Sequence, residues 1–206
     1  QFMRIQLDVP YITFYMAGLL SYNLFSNGIL LGSVAVLTRI SLITQVYFPR
    51  EILALLGLGE ILIDFAVAFL SMMVINAFFG IFPNIYYLYL PLLLLILIGI
   101  TFGAMLLFSA LAVLVRDIPQ LLSVFLQAFF YLTPVIYPVD FISEDFRILF
   151  LINPIAPLVQ GFRDVIVYAR AVDVMTLFYP AAVALVMVMI GYATFKSTES
   201  IMADYL

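Results

Sequence analysis

Glu60 and Asp64 stand four apart inside a long apolar run, so a helix there carries both carboxylates on one face. Inserting one such group at mid-membrane costs about 2.5–3.5 kcal/mol on translocon scales, so the pair must face protein or water rather than lipid. Two readings follow: a polar strip along a substrate path, or a pair near one helix end that meets Arg39, Arg50 or another subunit. The second is favoured, because Glu60 is only about two turns into its run. Aromatic residues are the other candidates. Tyr15 and Tyr22, seven apart, share a helix face, and Phe125, Phe129 and Phe130 cluster further along. Aromatic faces stack on the C–H faces of sugars, so a pore lined this way passes a glycan without holding it tightly. Taken singly, each ring is more simply a packing or lipid-facing group.

Composition excludes other chemistry. The chain has neither Cys nor His, which removes disulfides, zinc sites, thiol nucleophiles and imidazole bases. It has no G-x-x-x-x-G-K-[ST] phosphate loop, and its one lysine is Lys196. It therefore carries no catalytic site of its own, no cofactor and no metal, and if ATP drives it, another chain binds the ATP. A net charge of −4 with no basic patch argues against a nucleic-acid partner.

The elements that position these residues must lie in a membrane. The chain is 67% hydrophobic and 10% charged, with a mean hydropathy of +1.24. A soluble domain is about 45–50% apolar and about 25% charged. A bilayer-crossing helix needs roughly 20 apolar residues. Five segments qualify: Tyr11–Leu37, Ile52–Phe79, Tyr87–Val115, Pro119–Tyr137 and Val174–Phe195. With no Trp, any interfacial aromatic belt rests on Tyr and Phe. No repeat or linker divides residues 1–206, which read as one domain. The fold class is an all-α integral membrane protein, a bundle of five transmembrane helices in this chain.

The connections differ. Residues 38–51 carry Arg39 and Arg50 around a short apolar stretch, either an interfacial helix offered to a soluble partner or a plain turn. Arg116-Asp117 is a charged corner on the same side. Lys and Arg counts on the two faces are equal, and density alone places Arg39, Arg50 and Arg116 in the cytoplasm. The longest connection, 138–173, holds two short amphipathic stretches. Ser143 caps the first, and Phe146, Leu149 and Phe150 share its face; Asn153-Pro154 stops it. Leu158, Phe162, Val165 and Ile166 stripe the second. Neither is long enough to span. They form a re-entrant pair able to gate an exit, or a folded external cap.

Several motifs carry a resemblance. Pro10-Tyr11 with Ala17-Gly18-Leu19, then Val46-Tyr47-Phe48-Pro49-Arg50, then Arg116-Asp117-Ile118, then Pro134-Val135-Ile136-Tyr137-Pro138, then Asn153-Pro154 and Gly161-Phe162-Arg163 follow one another in order. Together they resemble the polysaccharide-export permeases of the type 2 ABC transporters, over essentially the whole chain. That family exports O-antigen, capsule or teichoic acid linked to lipid.

The resemblance implies six spans in the complete protein, with an interfacial helix and first span preceding Gln1. It implies a multi-pass protein of the cytoplasmic membrane, a homodimer bound to two copies of a soluble ATPase that carries ATP and Mg. It makes Arg39, Val46, Tyr47, Phe48, Pro49, Arg50, Arg116 and Asp117 the coupling surface. It makes Phe146, Phe150, Asn153, Pro154, Phe162 and Arg163 parts of external gate helices. Tyr15, Tyr22, Phe125 and Phe129 are then candidates for the path of a lipid-linked glycan. The absence of Trp departs from the family's habit and leaves stacking to Tyr and Phe. Rival readings are a drug or lipid exporter of the same superfamily, an ion-coupled transporter using Glu60 and Asp64, and a membrane enzyme using Asp140, Glu144, Asp145, Arg147, Arg163 and Asp164.

Overall fold

The apolar runs fold as helices, the only way a single segment satisfies its backbone in lipid. A computed structural model describes residues 9–38, 51–139 and 147–205. These form α1 (Tyr11–Thr38), α2 (Glu51–Phe78), a 3-10 turn (Ile85–Tyr89) and α3 (Leu90–Leu114). They continue as α4 (Ile118–Leu132), α5 (Arg147–Ile152), α6 (Ile155–Ile166) and α7 (Val174–Tyr205), with no strand among the described residues. Four segments are long and apolar enough to cross a bilayer: Tyr11–Thr38, Ala54–Phe78, Ile85–Leu114 and Val174–Glu199.

Helix ends follow local chemistry. Pro10 precedes α1, and its carbonyl accepts from the Thr13 hydroxyl at 2.8 Å. Prolines sit in the first turns of α3 and α4, where a missing N–H costs nothing. Gly80 ends α2 at φ 76°, while Ile81 N–H bonds back to Asn76 O at 2.9 Å.

The segment expected to span from Pro119 to Tyr137 is shorter than its apolar run. Helix α4 has 15 residues, or about 22 Å at 1.5 Å per residue, against a hydrocarbon core of about 30 Å. The cause is Pro134. It pushes Thr133 out of the helical region, to φ −97° and ψ 135°. The expected start of the first gate helix, around Ser143 and Phe146, lies outside the described residues.

Helix α1 is the centre of the bundle. Two thirds of its most apolar window is buried, against 17% for α2 and 22% for α7. It packs on α2, α3, α4 and α6, while α3 packs most extensively on α7. The α3–α7 seam is made of glycines: a Cβ on Gly191 would overlap the Gly103 carbonyl, and one on Gly103 would overlap the backbone of Met187 and Val188. Small residues of this kind let membrane helices touch backbone to backbone.

Candidate functional site

Since α4 stops short, irregular backbone follows it inside the bundle, and that backbone needs hydrogen-bond donors. Arg163 of α6 supplies them. Its Nη1 donates to Pro134 O and its Nη2 to Val135 O, both at 2.6 Å, and its Nε donates to Phe14 O at 3.2 Å. The guanidinium lies 3.6 Å from the centre of the Phe14 ring, and the side chain is fully buried. No carboxylate pairs with it among the described residues. Three carbonyl dipoles, the negative end of α4 and an aromatic face hold the charge instead. A planar fork of five donors suits this arrangement as an ammonium would not. Gly18 leaves the room: a Cβ there would stand 2.6 Å from Nη2.

Asn153 completes the joint. Its Oδ1 accepts from Ile155 N–H at 2.9 Å, capping α6, and its Nδ2 donates to Thr133 Oγ1 at 2.9 Å. Tyr11 donates to Ile136 O at 2.9 Å, and Tyr179 of α7 donates to Ile152 O at 2.6 Å. Asn84 Nδ2 donates to Val165 O at 3.2 Å, and Phe162 meets the Phe65 ring of α2 edge-on. The amphipathic stripe read from the sequence, Leu158, Phe162, Val165 and Ile166, is buried throughout. Helix α6 is therefore packed among the spans, not laid over them.

The second feature is polar. Between α1 and α4 lies a groove of about 470 Å³ lined by Asn23, Ser26, Asn27, Ser123, Gln127 and Tyr131, with Tyr22 and Phe130 in its wall. Adjoining it, a hollow of about 120 Å³ joins the same Asn23 and Asn27 to Asp64 of α2. Asn23 and Asn27 are exposed, as are Asp64 and Gln127. Asp64 lies ten residues past Ala54 and fourteen before Phe78, the ends of its apolar span, so it sits near mid-membrane. Asp64 thus lies deeper in its span than Glu60 and shares a hollow with the two asparagines of α1; Arg39 and Arg50, the partners expected for the pair, lie outside the described residues. Asp64 makes no ion pair or hydrogen bond among the described residues.

The expected path residues take different places. Tyr22 is buried; its hydroxyl donates to Leu126 O and its ring meets Phe130 edge-on at 5.1 Å. Tyr15 is half-buried and stacks on Tyr11. Phe125 is exposed and stacks on half-buried Phe129, which in turn meets Phe25. Of the coupling residues, Arg116 and Asp117 are exposed at the corner between α3 and α4. The helix order puts that corner at the same end of the bundle as Thr38 and Glu51. Arg39 and Val46 to Arg50 lie outside the described residues, as does Phe146. Phe150 meets Tyr137 edge-on, and Pro154 is the N-cap residue of α6. Asp164 is held by Arg170 at 2.7 Å and by Gln160 at 2.8 Å. Arg163 and Asp164 therefore do not converge on a common site. The polar band Asn23–Asn27–Gln127 escaped the sequence reading, although the i, i+4 asparagines in an apolar run were a visible signal.

The fold is that of a polytopic helical membrane protein with a polar, partly aromatic groove at mid-membrane and a buried arginine joint at one end. Residues 3–167 match the ABC-2 type transporter family, and the chain belongs to that family. It is 26% identical over 200 residues to the O-antigen export system permease protein RfbA of Myxococcus xanthus, covering 96% of this chain and 77% of the relative. It is 26% identical over 163 residues to a protein of the same name from Klebsiella pneumoniae, covering 79% of this chain. The matched region spans 62% of the Klebsiella relative's length.

Proposed function

We propose that the chain is the membrane-spanning subunit of an ATP-driven exporter that moves lipid-linked polysaccharide across the cytoplasmic membrane. The observation that carries this reading is the groove beside α1. Its amides, hydroxyls and aromatic rings are the groups that hydrogen-bond and stack on sugars, and they are exposed where lipid would penalise them. Similarity to permeases named for O-antigen export points the same way. In this reading two copies of the chain assemble with two copies of a soluble ATPase, which carries ATP and Mg. Arg39, Val46 to Arg50, Arg116 and Asp117 receive the ATPase's motion. The α5–α6 pair, with Phe146, Phe150, Asn153, Pro154, Phe162 and Arg163, gates the outer exit. Tyr15, Tyr22, Phe125 and Phe129 shape the path, Tyr22 as part of its wall.

The test is the ATPase rate of the purified complex in lipid, with and without lipid-linked glycan. Stimulation by glycan and not by small amphiphiles is the expected result. Stimulation by small amphiphiles alone would assign the chain to drug or lipid export instead, and a chain that brings down no ATPase would end the reading.

A further inference from the structure

Charge is distributed unevenly around the groove. Of the residues lining it and the adjoining hollow, Asp64 is the one with a carboxyl group, and none is basic. The remaining polar lining is amide and hydroxyl. The cations whose side chains are described are engaged elsewhere or lie outside the span. Arg163 is sealed against three backbone carbonyls, Arg170 is paired with Asp164, and Lys196 with Glu199. Arg116 lies beyond the end of α3, outside the span. A carboxylate in a hollow walled by apolar side chains such as Leu20, Leu24, Ile61 and Phe65 acts through a lower dielectric than water, so its field reaches across the width of a sugar. Amides bind sugar hydroxyls whatever the net charge of the polymer, but they cannot neutralise an anion.

We propose that this band selects the polymer by charge. Asp64, backed by Asn23 and Asn27, passes glycans whose repeat unit is neutral or carries an amino group. It disfavours those whose repeat carries a carboxylate or phosphate. The inference rests on the polysaccharide reading above and narrows its substrate class. An anionic repeat unit must pass a like charge with no cation among the described lining residues, once per repeat. A neutral one meets only hydrogen-bonding partners. An amino sugar gains an opposite charge.

The experiment uses the chain with its partner ATPase and two probes on the same lipid carrier, matched in length. One has a neutral hexose repeat, the other a hexuronate repeat, so that the carrier's own charge cancels in the comparison. Export of the neutral probe should exceed that of the anionic one by about tenfold, the order expected for one like charge held about 12 Å away at an effective dielectric of about 20. Asp64→Asn should bring the ratio towards one, since it keeps the shape and removes the charge. Asn23→Asp should widen the ratio. A wild-type ratio near one overturns the inference, as does a ratio that neither variant moves while both still export. If wild type exports neither probe yet hydrolyses ATP on small amphiphiles, the polysaccharide reading falls, and charge selection falls with it.

Discussion

Replacing Arg163 by Met keeps an unbranched stem and removes the guanidinium with its donors. Two carbonyls then lose their partner, because Pro134 O and Val135 O accept from no other donor among the described residues. Phe14 O, inside α1, keeps its helical bond. A buried carbonyl left unpaired costs about 1–3 kcal/mol. Two of them lost, less the relief of no longer burying a charge, give a destabilisation of about 3 kcal/mol. Arg163→Lys should lose less, about 1–2 kcal/mol, since an ammonium reaches part of the carbonyl set but lacks the planar fork and the stack on Phe14. Gly18→Ala attacks the same joint from α1, pressing a methyl against Nη2. Because both changes act on one contact, the double variant Gly18→Ala with Arg163→Met should cost less than the sum of the singles. Denaturation of the purified chain in mixed micelles reads all four variants. Arg163→Met within about 0.5 kcal/mol of wild type, or strict additivity with Gly18→Ala, would refute the assignment of Arg163 as the joint's donor.

Asn153→Ala should cost about 1–2 kcal/mol through loss of its bonds to Ile155 N–H and to Thr133, read by the same denaturation. Hydrogen exchange at the start of α6 should quicken in that variant while the middle of α1 is unchanged. Gly191→Val should cost about 3 kcal/mol or more, because its side chain meets the Gly103 backbone, which cannot turn aside. The readout is folded protein recovered from membranes, and a normal yield would contradict the α3–α7 seam.

Much of the fold was legible because long apolar runs in lipid have few alternatives to a helix. The length of α4 was harder to read, since residues 119 to 137 are nearly all apolar and composition alone sees one span. The stop signal was Thr133 before Pro134, which local backbone sterics enforce whatever the hydropathy. Arg163 entered the sequence reading through the resemblance, as a gate residue. Its partners are carbonyls, which every residue carries, so no pattern of side chains could reveal them. Asp64 was drawn towards the helix end by its neighbour Glu60. Its place beside Asn23 and Asn27 depends on the register of α1 against α2, which no pattern within either helix fixes. The pairing of Tyr15 with Tyr22 on one face followed from periodicity. Periodicity does not say which part of that face is covered, and α4 covers Tyr22.

The glycine seam between α3 and α7 has a mechanical meaning. Side chains can swap rotamers as neighbouring helices slide, but backbone cannot. Where Gly103 rests on Met187, Val188 and Gly191, a shift of either helix along the other would drive a carbonyl into a peptide plane. The two helices therefore travel as a single rigid beam. Helix α2, mostly bare of protein contacts, and short α4, lightly held, rest on side chains instead. A force entering this chain meets one stiff spar and two compliant arms, and the displacement it produces goes into the arms that border Asn23, Asn27 and Asp64.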